Sequence, residues 1–201
     1  MSHPQKREPL RSDAQRNRER ILEVALVELT CSAQAPLSLI AKKAGVGQAT
    51  FYRNFPSREA LVLEVYRYEV QQVCDAAAQL LRAGPPEVAL REWMDRLARY
   101  AMAKAGLAGA LREATAAGTL KSLAHGPLTE AVGLLLGACE EAGAIRPGVT
   151  ADDFMLAIAG LWLIDPHTDW QPRASRLLDL VMAGLRSGAP RRGTGPDAGA
   201  G

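Results

Sequence analysis

At 201 residues, 48% of them hydrophobic, the chain is long enough to bury a substantial core, either as one medium domain or as a small domain plus a larger one. No apolar run approaches the roughly 18 residues that cross a bilayer, and the opening MSHPQKREPLRSD lacks the apolar middle of a signal peptide, so a cytoplasmic protein is expected. The formal net charge is +2, but residues 1–60 carry ten Lys and Arg against six Asp and Glu, a local +4 that is the electrostatic footprint of a phosphate-binding module.

In chain order, Ser12 with Gln15 reads as a capping box. Ile21, Leu22, Ala25, Leu26 and Leu29 then recur at helical spacing, predicting a first helix from about Ser12 to Thr30. Pro36 opens a short second helix over LSLIAKKA, which Gly45 ends. A third begins near Gln48 and stops before Pro56, because the residue ahead of a proline is pushed out of the α region. Ser57 is placed to cap a long fourth helix with Glu59 in its first turn, and Gly84-Pro85-Pro86 ends it.

Residues 87–105 hold Leu90, Trp93, Leu97 and Tyr100 at helical spacing. Gly106, Gly118, the Gly126-Pro127 pair, Gly143 and Pro147-Gly148 are expected to separate further helices. Thr150 with Asp153 forms a second capping box ahead of FMLAIAGLWLI, which is apolar on nearly every side and so needs covering all round, by its own domain and by a second subunit. Asp165-Pro166 breaks that run. A last helix over about Arg173 to Ser187 puts Leu178, Val181, Met182 and Leu185 on one stripe, and the Gly/Pro-rich GAPRRGTGPDAGAG is expected to be a disordered tail.

Cys31, Cys74 and Cys139 are odd in number and lack CxxC or His-paired spacing, so neither a disulfide framework nor a zinc site is expected, and three buried thiols is the plain reading. With His only at His3, His125 and His167, no triad, metal or phosphate-loop motif emerges, and neither an enzyme nor a cofactor is expected. His125 reads as a surface or capping residue.

Two short helices joined by a Gly-containing turn, with a third helix ahead of them, make the plan of a helix-turn-helix unit. Ile40, Ala41 and Ala44 face inward, Gly45 supplies the left-handed turn, Val46 plugs the small core, and Phe51 and Phe55 anchor the third helix. That leaves Gln48, Ala49, Thr50, Tyr52 and Arg53 on the outward and leading faces, where Gln can pair with adenine and Ala can touch a thymine methyl.

The run SLIAKKAGVGQATFYRNFPSREAL resembles the DNA-binding signature of tetracycline-repressor-like (TetR/AcrR) regulators through its joined I-A, A-G-V, T-x-Y, F-P and R-E-x-L elements. The resemblance implies phosphate contacts at Thr50, Tyr52 and Arg58 and base-reading places at Gln48 and Ala49. Arg53, Asn54 and Ser57 complete the polar DNA-binding set. Asn54 stands where His is common and Arg58 where Lys is common, and both still donate to phosphate. The first helix ends LTCSAQA in place of the usual Phe-x-x-x-Gly.

The fold expected is all-α: a flexible basic arm over residues 1–11, a three-helix helix-turn-helix DNA-binding domain over 12–56, then a long helix leading into a helical ligand-binding and dimerisation domain over 57–187. The function expected is a homodimeric repressor on an inverted-repeat operator of double-stranded DNA, released by a largely apolar effector. Trp93, Leu97, Tyr100, Phe154 and Ile158 are the expected pocket walls, and Trp162, Leu178, Val181, Met182 and Leu185 the expected dimer face. The aromatic residues among these serve core packing as readily as a pocket. A helical small-molecule-binding module without DNA function is the first rival, with intact Thr50, Tyr52 and Arg58 weighing against it, and an enzyme is the second and weaker one.

Overall fold

The Ala- and Leu-rich periodicity resolves into helices throughout residues 8–115 and 117–187, the part of the chain that the structure, a computed structural model, describes. They are α1 (Glu8–Cys31), α2 (Leu37–Lys43), α3 (Gln48–Asn54), α4 (Arg58–Ala83), α5 (Pro86–Gly106), α6 (Ala108–Ala114), α7 (Ala117–Glu141), α8 (Ala151–Ala157) and α9 (Trp170–Ser187), with a 3-10 turn over Ala159–Leu163. No strand occurs among the described residues.

Several boundaries follow from local chemistry. Ser57 Oγ accepts the Ala60 N–H at 3.2 Å and so starts α4, while Gly84 and Pro85 end it and Pro86 opens α5, where a missing N–H costs nothing. The Thr150 box closes in both directions: Asp153 N–H donates to Thr150 Oγ1 at 3.1 Å, and Thr150 N–H donates to Asp153 Oδ2 at 3.3 Å.

Other boundaries depart from expectation. Helix α1 starts at Glu8, so Ser12 lies inside it and not at its start. An acidic residue and a proline at the very start, Glu8 and Pro9, suit a first helical turn, which the capping-box reading overlooked. The flexible arm thus fails for residues 8–11, while residues 1–7 and the expected tail over 188–201 lie outside the described residues. Helix α7 runs straight through Gly118 and Gly126-Pro127. An interior proline costs about 3 kcal/mol. Against it stand Leu128, Val132, Leu135, Leu136 and Cys139, all buried on one face, at about 1.5–3 kcal/mol per large side chain. The apolar run after Thr150 divides into α8 and the 3-10 turn, and α9 begins at Trp170, a little earlier than Arg173.

Helix α4 is the spine. It packs against α1 on one side and against α5, α6 and α7 on the other, and Leu61, Val62, Val65 and Tyr66 are sealed within this one continuous core. Several contacts fasten the N-terminal helices to the rest, three of them as follows. Arg18 pairs with Glu64 on α4 and lies 4.8 Å over the Phe55 ring. Gln34, in the α1–α2 loop, donates to Glu113 on α6 at 2.9 Å. Gly106, at the end of α5, leaves so little room that a Cβ there would fall 2.6 Å from Thr30 Cγ2.

Candidate nucleic-acid interface and a cavity in the helical bundle

The turn between α2 and α3 is closed by the backbone. Gly45 adopts φ 67°, its N–H reaches Lys42 O at 3.1 Å, and the Val46 N–H reaches Ala41 O at 3.1 Å. This is a Schellman termination, and it requires the left-handed residue that only glycine adopts without penalty. Ile40, Ala41 and Ala44 are buried on one side of the turn, Phe51 and Phe55 on the other, the two rings 5.8 Å apart between centroids. Fixing α3 by Phe51 and Phe55 turns its remaining residues outward. Gln48, Ala49, Thr50, Tyr52, Arg53 and Asn54 are all exposed, and Tyr52 keeps 45% of its surface in solvent.

Two of these side chains fold back on their own helix: Arg53 Nε donates to Ala49 O at 3.3 Å and Asn54 Nδ2 to Thr50 O at 2.8 Å. Ser57 is taken up as the α4 cap, and hydrogen bonding from Ser57 is the largest cause lowering the Glu59 carboxyl below the usual carboxylate range. Arg58 departs furthest from expectation. Its guanidinium donates to Ala33 O at 2.9 Å and Ala35 O at 2.6 Å, so it clamps the α1–α2 loop onto α4. The free carbonyls left by LTCSAQA, visible only once the chain is folded, explain that clamp. Two basic residues of α1 and α2 are likewise engaged: Lys43 with Glu28 at 2.7 Å, Arg16 with Asp13 at 2.5 Å.

Within the bundle a cavity of about 300 Å³ opens between α5, α7, α8 and the 3-10 turn, lined by Tyr100, Lys104, Leu120, Ala124, His125, Leu128, Met155 and Trp162. Of the expected walls only Tyr100 reaches it. Trp93, Leu97, Phe154 and Ile158 are fully buried core: Trp93 Nε1 donates to Val73 O at 2.8 Å and its ring packs 6.5 Å from Phe154. The position of Lys104 four residues after Tyr100 was the available signal for the missed wall residues on α5. His125 is exposed, as expected, and stands at the cavity rim with Nε2 3.5 Å from Asp152. Burial, then the neighbouring Tyr66 hydroxyl, keeps Tyr100 protonated far above the ordinary tyrosine range, and burial lowers the Lys104 ammonium below its ordinary value.

The stripe expected to form a dimer face is mostly turned inward. Leu178, Met182 and Leu185 are buried in the chain's own core, Val181 is half-buried, and Trp162 belongs to the cavity wall. The apolar residues left in solvent are on the other sides of these elements: Leu156 at 75%, Leu163 at 88% and Leu180 at 72% exposure. An amphipathic helix turns its most continuous stripe toward its own domain first, and α9 has α5 to receive it. The thiols also differ from expectation, with Cys31 exposed, Cys74 half-buried and Cys139 buried; burial pushes the last two up to about 11. Among the described residues no group of three potential metal ligands comes together, and no helix is long and apolar enough to cross a membrane.

Comparison with known proteins agrees with this geometry. The family described as bacterial regulatory proteins, tetR family, matches residues 33–65, and that described as transcriptional regulator SbtR-like, C-terminal domain, matches residues 85–187. A TetR transcriptional regulator, SCO0520 from Streptomyces coelicolor, is 42% identical over 84% of this chain and 98% of its own, with a TM-score of 0.73. The TetR transcription regulatory protein from Mycobacterium vanbaalenii is 34% identical over 89% of this chain and 99% of its own, with a TM-score of 0.72. PfmR from Thermus thermophilus, at 22% identity over 83% of this chain and 98% of its own, shares the fold at a TM-score of 0.56. No curated protein matches the sequence.

Proposed function

The chain belongs to the TetR family of transcriptional regulators, and from that premise we propose that it is a ligand-responsive repressor that binds an inverted-repeat operator as a homodimer. The DNA-binding unit is α1 to α3, up to residue 56, and the regulatory unit covers residues 57–187. The observation that carries the reading is α3 itself: a seven-residue helix pinned by Phe51 and Phe55 that exposes Gln48, Ala49, Thr50, Tyr52 and Arg53 together. Gln48 and Ala49 at its leading end read base edges, while Thr50, Tyr52 and Arg53 meet phosphate. Arg58 serves the interface by holding the α1–α2 loop.

One such helix spans only a few base pairs, so two related by a dyad, at half-sites roughly 34–36 Å apart or a multiple of that, double the readout. The exposed leucines Leu156, Leu163 and Leu180 are the surface we propose for pairing. Effector bound in the cavity of about 300 Å³ lowers operator affinity to the extent that it favours the conformer whose α3 helices miss the half-sites. Capture of genomic fragments by the purified protein, followed by a salt-dependent anisotropy titration on the captured site, tests the reading. Selective capture of an inverted repeat supports it, while equal binding to all fragments, or none, overturns it. Sedimentation of a Leu163→Glu and Leu180→Glu double variant should show a monomer, and an unchanged dimer would remove this face from the proposal.

A further inference from the structure

The cavity holds a cation without a counterion. Lys104 Nζ lies in its wall, makes no ion pair among the described residues, and meets only the face of the Tyr66 ring, 5.7 Å from its centroid. Desolvation without compensation is costly for an ammonium, and a ring face compensates weakly compared with an anion. Four residues earlier on the same helix, Tyr100 is 3% exposed and its Oη makes no hydrogen bond of good geometry. The adjacent Tyr66 hydroxyl donates its own proton to Leu120 O at 3.0 Å. A buried hydroxyl left unmatched costs about as much as the hydrogen bond it lacks. The rest of the lining, Leu120, Ala124, Leu128, Met155 and Trp162, is apolar or nearly so.

We infer that the cavity takes an amphipathic monocarboxylate, its carboxylate pairing with Lys104 and accepting the Tyr100 hydroxyl while its apolar body lies against Leu120, Leu128, Met155 and Trp162. This rests on the reading of the cavity as the effector site. The charge count sets the class. One lysine and one hydroxyl match a single negative charge, whereas a phosphate ester would leave most of its acceptors dry in an apolar wall. An amine of the same shape meets like charge, and an alcohol leaves Lys104 uncompensated. His125 at the rim already faces Asp152.

Two matched series test this on the full-length protein without DNA: phenylbutanoate, phenylbutanol and phenylbutylamine, and octanoate, octanol and octylamine, each titrated by calorimetry and by Trp162-sensitive fluorescence. At least one acid should bind about tenfold or more tightly than its own alcohol, and the amines more weakly still. Lys104→Met should bring acid and alcohol to within about threefold, with Lys104→Arg restoring part of the preference and Tyr100→Phe weakening the acid more than the alcohol. Thermal unfolding of each variant checks that it is folded. Acids that bind no better than alcohols in both series, or an acid preference that survives Lys104→Met, overturn the inference and leave DNA binding untouched. Acid binding that fails to release captured operator DNA would keep the ligand class and sink the regulatory role.

Discussion

At α3 the outward side chains all come from one stretch of seven residues, whereas the cavity draws Tyr100 and Lys104 from α5, Leu120, Ala124, His125 and Leu128 from α7, Met155 from α8 and Trp162 from the turn beyond it. The first is a local surface, set by helical period and by one glycine turn. The second exists only where four elements fail to close completely, and its position depends on how α5 and α7 pack along α4. A local surface can therefore be changed residue by residue with little effect on stability, while changes near the cavity divide sharply between core and wall.

The sharpest way to break that contrast is at Trp93. Trp93→Ala deletes a fully buried ring and its hydrogen bond to Val73 O, and should cost about 3–5 kcal/mol in denaturant unfolding. Met155→Ala, on the cavity wall, should cost less than about 2 kcal/mol, because the space beside it is already empty. Comparable losses at both would mean that no cavity persists in solution. Next comes Arg58→Ala, which removes two charge-assisted bonds to carbonyls and should cost about 2–3 kcal/mol of stability together with DNA affinity. Lost affinity with full stability would return Arg58 to a purely phosphate-binding role.

Gln48→Ala should leave stability unchanged and flatten discrimination among operator variants by about 1–3 kcal/mol, read by competition anisotropy. Tyr52→Phe should weaken operator and unrelated DNA alike, by about 0.5–1.5 kcal/mol, since a phosphate contact carries no sequence information. The smallest effect is chemical: one thiol, Cys31, should react quickly with a disulfide reagent in the native protein, and all three after denaturation. Fast reaction of Cys139 would show that the bundle opens.

How much the sequence made legible follows the same division. The all-helical class, the α2–turn–α3 unit and the cap at Thr150 rest on interactions within a few residues, and each is present as read. The uninterrupted α7 was not legible, because Pro127 announces a break and only the burial of Leu128 to Cys139 overrides it. The stripe Leu178, Met182, Leu185 was correctly seen as apolar, yet apolarity does not say which partner covers it, and the chain's own α5 does. The cavity residue Lys104 was missed because a charged residue in a helix pattern reads as solvent-facing until its neighbours are known.

The absence of a side chain at Gly106 has a mechanical meaning. Lys104, in the cavity wall, is two residues upstream of it, and Thr30 Cγ2, one residue from the end of α1, stands where its Cβ would be. Thr30 is β-branched, so its methyl has few places to swing. The seam therefore has no slack: α5 cannot move toward α1 at this point without carrying α1 with it, as one tooth of a gear carries the next. A methyl placed there by Gly106→Ala would be a wedge driven into the seam between α5 and the end of α1.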